Sequence, residues 1–371
     1  GEWALRQSGG PAGMSRAVSY VDEDAGQVYF TALEKASTER HLYSASLDGS
    51  GMARLTTDDG AHAIYFSPGG DYFVDSHSAI DATPSLRVYS RDGKAVSTIA
   101  AAGDDARSRF DLLPWDLLTI RARDGFELPA MMLKPRFFDP DRQYPVVIYV
   151  YGGPSAPTVV NSWQGRDRAL FHQVLAESGV IVFQVDNRSA AGKSKIDANT
   201  IVKQLYGPVE MNDLLDGVAW LKAQPFVDPD RVGIWGWSGG GTMTLQSMTS
   251  SEEFAAGASV APVSDWRFYD TIYTERYMKR PQDNEEGYES TSHVNRAANL
   301  HGRLMIVHGT YDDNVHPQNT WAFTDELIDA GITYDMMIYP MRKHGISDDA
   351  ARHHVYRSMY EFWQRTLDLG D

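Results

Sequence analysis

Cysteine is absent from the 371 residues. Disulfides, thiolate metal sites and a cysteine nucleophile are therefore excluded, while the compartment stays open because a secreted chain can also manage without cysteine. Long apolar runs are missing too. No stretch approaches the roughly 18 residues that a membrane helix needs, and the opening GEWALRQSGGPAG lacks the charged-then-apolar order of a signal peptide. Positive charge is scarce: 34 Lys and Arg stand against 50 Asp and Glu, a formal net charge of -16, and no basic cluster is interleaved with aromatics. Such a chain repels a phosphate backbone, which excludes nucleic acid as a partner. What remains, 42% hydrophobic and 23% charged residues, is the composition of a globular chain long enough for two domains and a sizeable core.

The organisation changes partway along. Up to about residue 110 the chain holds short strand-like pieces, QVYFTAL, RHLYSASL, AIYFSP, DYFVDSH and LRVYS, separated by turns at Asp48-Gly49, Pro68-Gly69 and Asp92-Gly93. This reads as a β-meander, and the Asp-Gly turns recur at about the 40 to 50 residues of one four-stranded propeller blade. Only two or three blades fit, and an open set leaves exposed edges. The expectation is that the chain begins inside a larger domain, with further sequence upstream of Gly1.

After residue 114 apolar strands alternate with helical segments. YPVVIYVYG, VIVFQVD, RVGIWGW, AGASVAP, RLMIVHG and TYDMMIYP read as buried strands; EMNDLLDGVAWLKAQ, QNTWAFTDELIDAG and the final DDAARHHVYRSMYEFWQRTL read as helices. Alternation of this kind predicts a mostly parallel sheet covered by helices. The expected domains are 1–113, the end of a propeller, and 114–371, an α/β domain.

The stretch GIWGWSGGG lies in this second part. Arg231 to Trp235 is a strand, Gly236-Trp237-Ser238-Gly239-Gly240 is Gly-x-Ser-x-Gly, and TMTLQSMTSS is compatible with a helix. Strand, tight turn and helix is the setting of a nucleophile elbow, in which Ser238 takes a strained backbone and bulkier neighbours two positions away would collide with strand and helix. A glycine-rich loop without chemistry, or a phosphate cradle, fits the same letters, but the Lys-Ser/Thr ending of a phosphate loop is absent. A serine nucleophile needs a base, and the base an orienting acid. Asp312 and Asp313 follow the strand RLMIVHG, and His344 follows TYDMMIYP in the loop PMRKHGIS. Ser, Asp and His thus come in the chain order of an α/β-hydrolase, each after a predicted strand.

The stretches VYGGP, GWSGGG, APVSDWRFYDTIYTERYM, HGTYDDNVHPQ and the late HGI resemble the dipeptidyl peptidase IV branch of the prolyl oligopeptidase family. The resemblance runs from about residue 114 to the end and, more weakly, through the blade-like region before it. It implies an α/β-hydrolase domain preceded by the last blades of a β-propeller. It makes Ser238 the nucleophile, Asp312 the acid and His344 the base, and it gives the oxyanion two donors, the Tyr151 hydroxyl and the backbone N–H of Gly239. Val263, Trp266, Tyr269, Tyr273 and Val315 match positions lining a flat apolar slot suited to a proline ring, and Asn314 matches an amide donor to the penultimate residue's carbonyl. The implied substrates are peptides with penultimate Pro or Ala, released as X-Pro or X-Ala through an acyl-enzyme. No metal or other cofactor is required. A homodimer built partly on the last helix is implied as well, and a periplasmic or secreted setting is favoured over a cytoplasmic one.

This sequence departs from the family twice. Many members carry a tyrosine after the nucleophile, whereas here it is Gly239, which predicts looser packing around the elbow. The branch also anchors the substrate's free amino group on a glutamate pair of the propeller. Glu252-Glu253 and Glu285-Glu286 lack a matching context and read as solvated acidic faces, which places the anchor upstream of Gly1. His316, His353 and His354 lack metal-ligand spacing and read as surface residues. A tripeptidyl or acylaminoacyl peptidase, or a small-ester hydrolase, would share the triad; a silent binding module is the competing class.

Overall fold

The computed structural model describes residues 15–103, 110–165, 167–192 and 194–369. The chain forms two compact units, one holding the residues up to Trp115 together with 159–170 and 192–197, the other the rest.

The first unit contains two four-stranded sheets, each in sequence order. β1 (Ser15–Asp22), β2 (Gln27–Ala32), β3 (His41–Ser46) and β4 (Ala53–Arg54) form one; β5 (Ala61–Phe66), β6 (Tyr72–Ala79), β7 (Ala82–Ser90) and β8 (Ala95–Ala100) form the other. Neighbouring strands in both are antiparallel, the form of a propeller blade. Gly49 and Gly93 sit at φ 87° and 86°, and each N–H closes its turn on the carbonyl three residues back at 2.8 Å, a left-handed corner that glycine takes without strain. Tyr29, Leu42 and Phe73 are buried between the two sheets with Phe66 and Tyr89 around them. The expected pieces correspond to β2, β3, β5, β6 and β7. The segment 159–165 joins this unit because the Asn161 amide bridges it: Oδ1 accepts from the N–H of Ile80 and Nδ2 donates to Glu39, both at 2.9 Å.

The second unit is built on an eight-stranded sheet of β9 (Trp115–Arg121), β10 (Glu127–Leu133), β11 (Tyr144–Tyr149), β12 (Ile181–Val185), β13 (Val227–Trp237), β14 (Ala256–Val260), β15 (Arg303–Gly309) and β16 (Asp335–Tyr339). The order is β16-β15-β14-β13-β11-β12-β10-β9. β11 to β16 are parallel to their neighbours, and β10 runs antiparallel to β12. Val146, Val147, Ile148, Val182, Phe183 and Ile234 have no exposed surface, as strands covered on both faces require; each contributes about 1.5–3 kcal/mol by leaving water.

Close approaches identify the helices on each face. A Cβ on Gly233 would lie 2.7 Å from the Trp363 ring, on helix Asp349–Thr366. The next register pair, Ile234 and Gly257, turns the other way, and a Cβ on Gly257 would lie 2.7 Å from Met248, on helix Gly239–Ser250. Since alternate residues of a strand face opposite sides, these two helices cover opposite faces.

Candidate active site

Loops leaving the carboxyl ends of five neighbouring strands carry the candidate residues. Tyr151 follows β11, Ser238 follows β13, Val263 follows β14, Asp312 follows β15 and His344 follows β16. In an open parallel sheet this edge is where loops from separate strands converge on a ligand.

Ser238 has φ 60° and ψ -120° and stands at the start of helix Gly239–Ser250. A non-glycine residue in that region is strained, and the surroundings hold it there. The Ser238 N–H donates to the Val260 carbonyl at 2.8 Å, and its own carbonyl accepts from Thr242 at 2.9 Å. The flanking glycines are sterically required: a Cβ on Gly236 would lie 2.4 Å from the Gly240 carbonyl carbon, and one on Gly240 would lie 2.1 Å from the Val150 carbonyl oxygen. Gly236→Ala is therefore expected to cost about 3 kcal/mol, the upper range for overpacking, read as a lower melting temperature. An unchanged melt would mean that strand and helix do not close on the turn this tightly.

The base and acid are joined directly. His344 Nδ1 lies 2.8 Å from Asp312 Oδ2. The Asp312 side chain is fully buried, whereas His344 keeps 21% of its side chain exposed. The other carboxylate oxygen accepts from the N–H groups of Asn314 at 3.0 Å and Val315 at 2.9 Å. Burial alone would raise the Asp312 carboxyl, but hydrogen bonds from His308 and His344 hold it well below the usual carboxylate range. A fixed carboxylate at Nδ1 keeps a proton there and leaves Nε2 free to act as a base. The Trp237 indole donates to the His344 carbonyl at 2.9 Å, tying the histidine loop to the residue beside Ser238. Asp313, the other acid after β15, is exposed and pairs with Lys343.

Burial pushes the Tyr151 hydroxyl above its ordinary range. The neutral, donating form is therefore the resting one. Trp266, Tyr269 and Tyr273 form one aromatic group, with Tyr269 edge-on to Trp266 at 6.1 Å and to Tyr273 at 5.6 Å. Val263 and Val315 are buried with them in the same core. The Tyr269 hydroxyl donates to Asn314 Oδ1 at 2.8 Å. Glu253 pairs with Lys222, and Glu252, Glu285, Glu286, His316, His353 and His354 are exposed.

Three contributors lie outside the expected site residues. His308 stands on β15 behind the acid, its Nε2 3.3 Å from Asp312 and 2.9 Å from the Val315 carbonyl, with Thr320 on Nδ1. Asn187 donates to the Gly152 carbonyl at 2.9 Å and braces the Tyr151 turn. Tyr206 corrects the expectation of a loose elbow: its hydroxyl would lie 2.0 Å from a Cβ on Gly239, so a ring from another loop occupies the volume that Gly239 leaves.

A family model described as the prolyl oligopeptidase family matches residues 169–370, and one described as the dipeptidyl peptidase IV N-terminal region matches residues 9–84. Among curated proteins, a probable dipeptidyl-aminopeptidase B of Emericella nidulans is 37% identical across 95% of this chain and 40% of its own length. A probable dipeptidyl-aminopeptidase B of Arthroderma benhamiae is 37% identical across 93% of the chain and 38% of its own. The crystal structure of Porphyromonas gingivalis dipeptidyl peptidase 4 superposes with a TM-score of 0.90 and 32% identity, covering 98% of this chain and 51% of that one. The chain thus spans about two fifths of the curated relatives' length and about half of the solved relative's.

Proposed function

This chain belongs to the prolyl oligopeptidase family, and on that footing we propose that the protein is a serine exopeptidase that releases X-Pro or X-Ala dipeptides from the free amino ends of peptides. The observation that carries the reading is the Asp312–His344 pair at 2.8 Å on the same sheet edge as a strained Ser238 and the Tyr151 turn.

His344 Nε2 takes the Ser238 proton as the oxygen attacks the carbonyl after proline or alanine. Tyr151 and the Gly239 N–H donate to the oxyanion, each contributing about 3 kcal/mol to the acyl-transfer barrier. His344 then hands its proton to the leaving amine, and water releases the acyl group by the same route. The aromatic group at Trp266, Tyr269 and Tyr273 with Val263 and Val315 receives the proline ring, and Asn314 donates to the carbonyl before it.

The test uses the full-length protein and two otherwise identical X-Pro peptides, one free and one acetylated at the amino end, with products read by mass spectrometry. Release of X-Pro from the free peptide alone is expected. Cleavage of both peptides would indicate an acylaminoacyl or internal specificity; three-residue products would indicate a tripeptidyl peptidase. Failure of Ser238 to react with a fluorophosphonate would leave a binding module. The homodimer that the resemblance implies belongs to the same proposal, and sedimentation equilibrium of the full-length protein reads it.

A further inference from the structure

Tyr206 is fully buried, and its hydroxyl has no hydrogen-bond partner among the described residues. A phenol that loses water without gaining a partner is destabilising, so its oxygen does not account for its place. Its backbone is also held at φ 55°, a region that bulky residues rarely adopt.

The contacts account for both. A Cβ on Gly239 would lie 2.0 Å from the Tyr206 hydroxyl and 3.2 Å from Cζ of Tyr151, and a Cβ on Gly153 would lie 2.7 Å from the same hydroxyl. The Tyr206 ring stacks on Trp266 with centroids 5.6 Å apart and planes at 29°, and the Trp266 indole donates to the Leu205 carbonyl at 3.2 Å. From behind, the buried Glu210 carboxyl accepts from the N–H groups of Tyr206 at 2.9 Å and Gly207 at 3.2 Å. The side chain is thus wedged between the glycine after the candidate nucleophile, the Tyr151 turn and the aromatic slot.

We propose that Tyr206 is a positioning residue that fills, from a neighbouring loop, the space beside the nucleophile that a side chain at position 239 would otherwise take. It holds the Gly239 peptide and the Tyr151 ring where they meet an oxyanion, and it closes the floor of the slot beneath Trp266. The proposal rests on the peptidase reading given above. Gly239 and Tyr206 are a matched pair: either a glycine with a ring coming from residue 206, or a ring at 239 with room made for it.

The test is an exchange in the full-length protein, comparing wild type with Y206F, Y206L, G239Y and Y206L/G239Y. Three quantities are read: the rate constant for fluorophosphonate reaction at Ser238, kcat and KM for an X-Pro substrate, and the melting temperature. G239Y is expected to react about 100-fold more slowly and Y206L about tenfold, while the double variant returns to within about threefold of wild type, the non-additivity of two residues sharing one space. The conservative Y206F keeps the ring, removes the orphan hydroxyl, and is expected to stay within about twofold in kcat and to melt at or above wild type. A double variant whose loss equals the product of the single losses overturns the proposal, as does G239Y behaving like wild type. Should a single variant not fold, a double variant that folds and reacts supports the pairing, and one that reacts no faster than Y206L or does not fold overturns it. An inert wild-type Ser238 would defeat the peptidase reading instead; additive melting shifts would then overturn the pairing and non-additive ones support it.

Discussion

Ser238→Ala is expected to lower kcat for an X-Pro substrate by on the order of 10^6, the scale seen when a serine nucleophile is removed from a triad that works as one unit. The rest of the site should be unmoved, because the elbow is held by its backbone. The Ser238 N–H reaches Val260, its carbonyl accepts from Thr242, and the Asp312–His344 pair does not depend on the serine oxygen. KM should therefore change little. Alanine keeps the Cβ in the same strained region, φ 60° and ψ -120°, so the melting temperature should stay close to wild type. Ser238→Gly separates strain from chemistry: it is expected to be equally inactive but more stable by about 1 kcal/mol, strain of about 1–3 kcal/mol being relieved and offset in part by the added freedom of glycine in the unfolded chain. Substantial turnover by Ser238→Ala would remove Ser238 from the mechanism, and a glycine variant that melts lower than alanine would mean the elbow stores no strain.

The parts of this molecule that the sequence discloses are those with a local cause. The six apolar strands expected after residue 114 all occur, five of them largely buried, while β16, at the sheet edge, is only half-buried. The elbow was legible because glycine is the residue that fits at 236 and 240, where backbone oxygens and carbons stand 2.1 to 2.4 Å from any added Cβ. Other strands were hidden by local contradiction. β10 holds Pro129, a breaker in a central strand, yet the proline carbonyl accepts from the Asp186 N–H at 3.0 Å, which uses the one ladder group proline retains. β4 is two residues long and β8 is exposed throughout, so neither carries a burial pattern. The supports of the site are invisible for another reason. Tyr206 and Asn187 act on residues that follow other strands, and only the sheet order brings them there, whereas His308 acts on Asp312 in the loop after its own strand; a tyrosine before a glycine, or a histidine near a strand end, has no periodicity that marks it.

Asp312→Asn is expected to lower kcat by about 10^4, the effect of presenting a triad histidine with the wrong tautomer. The geometry here gives the mechanism. Asp312 Oδ1 accepts from the N–H groups of Asn314 and Val315, and an asparagine oxygen can continue to do so. The amide NH2 must then occupy the Oδ2 position, 2.8 Å from His344 Nδ1 and 3.3 Å from His308 Nε2. A donor at that point leaves His344 stable only with its lone pair at Nδ1 and its proton at Nε2, so the nitrogen that must accept the Ser238 proton already carries one. His308 meets the same donor and relies on the Val315 carbonyl alone. KM should change little, since no aromatic of the slot is touched. The acid's stabilising role has a definite sign: its pKa is depressed by folding, so the stability it confers is present above the unfolded carboxyl range and is lost as pH falls through the folded value. Asp312→Asn should therefore flatten the acid side of the stability profile as well as stop turnover. Asp313→Asn is the matched control: that carboxylate is exposed and pairs with Lys343, so kcat within about twofold of wild type is expected, as for other surface ion pairs. A large loss at Asp313 with little at Asp312 would transfer the orienting role to the neighbouring acid, and with it the assignment of the loop after β15.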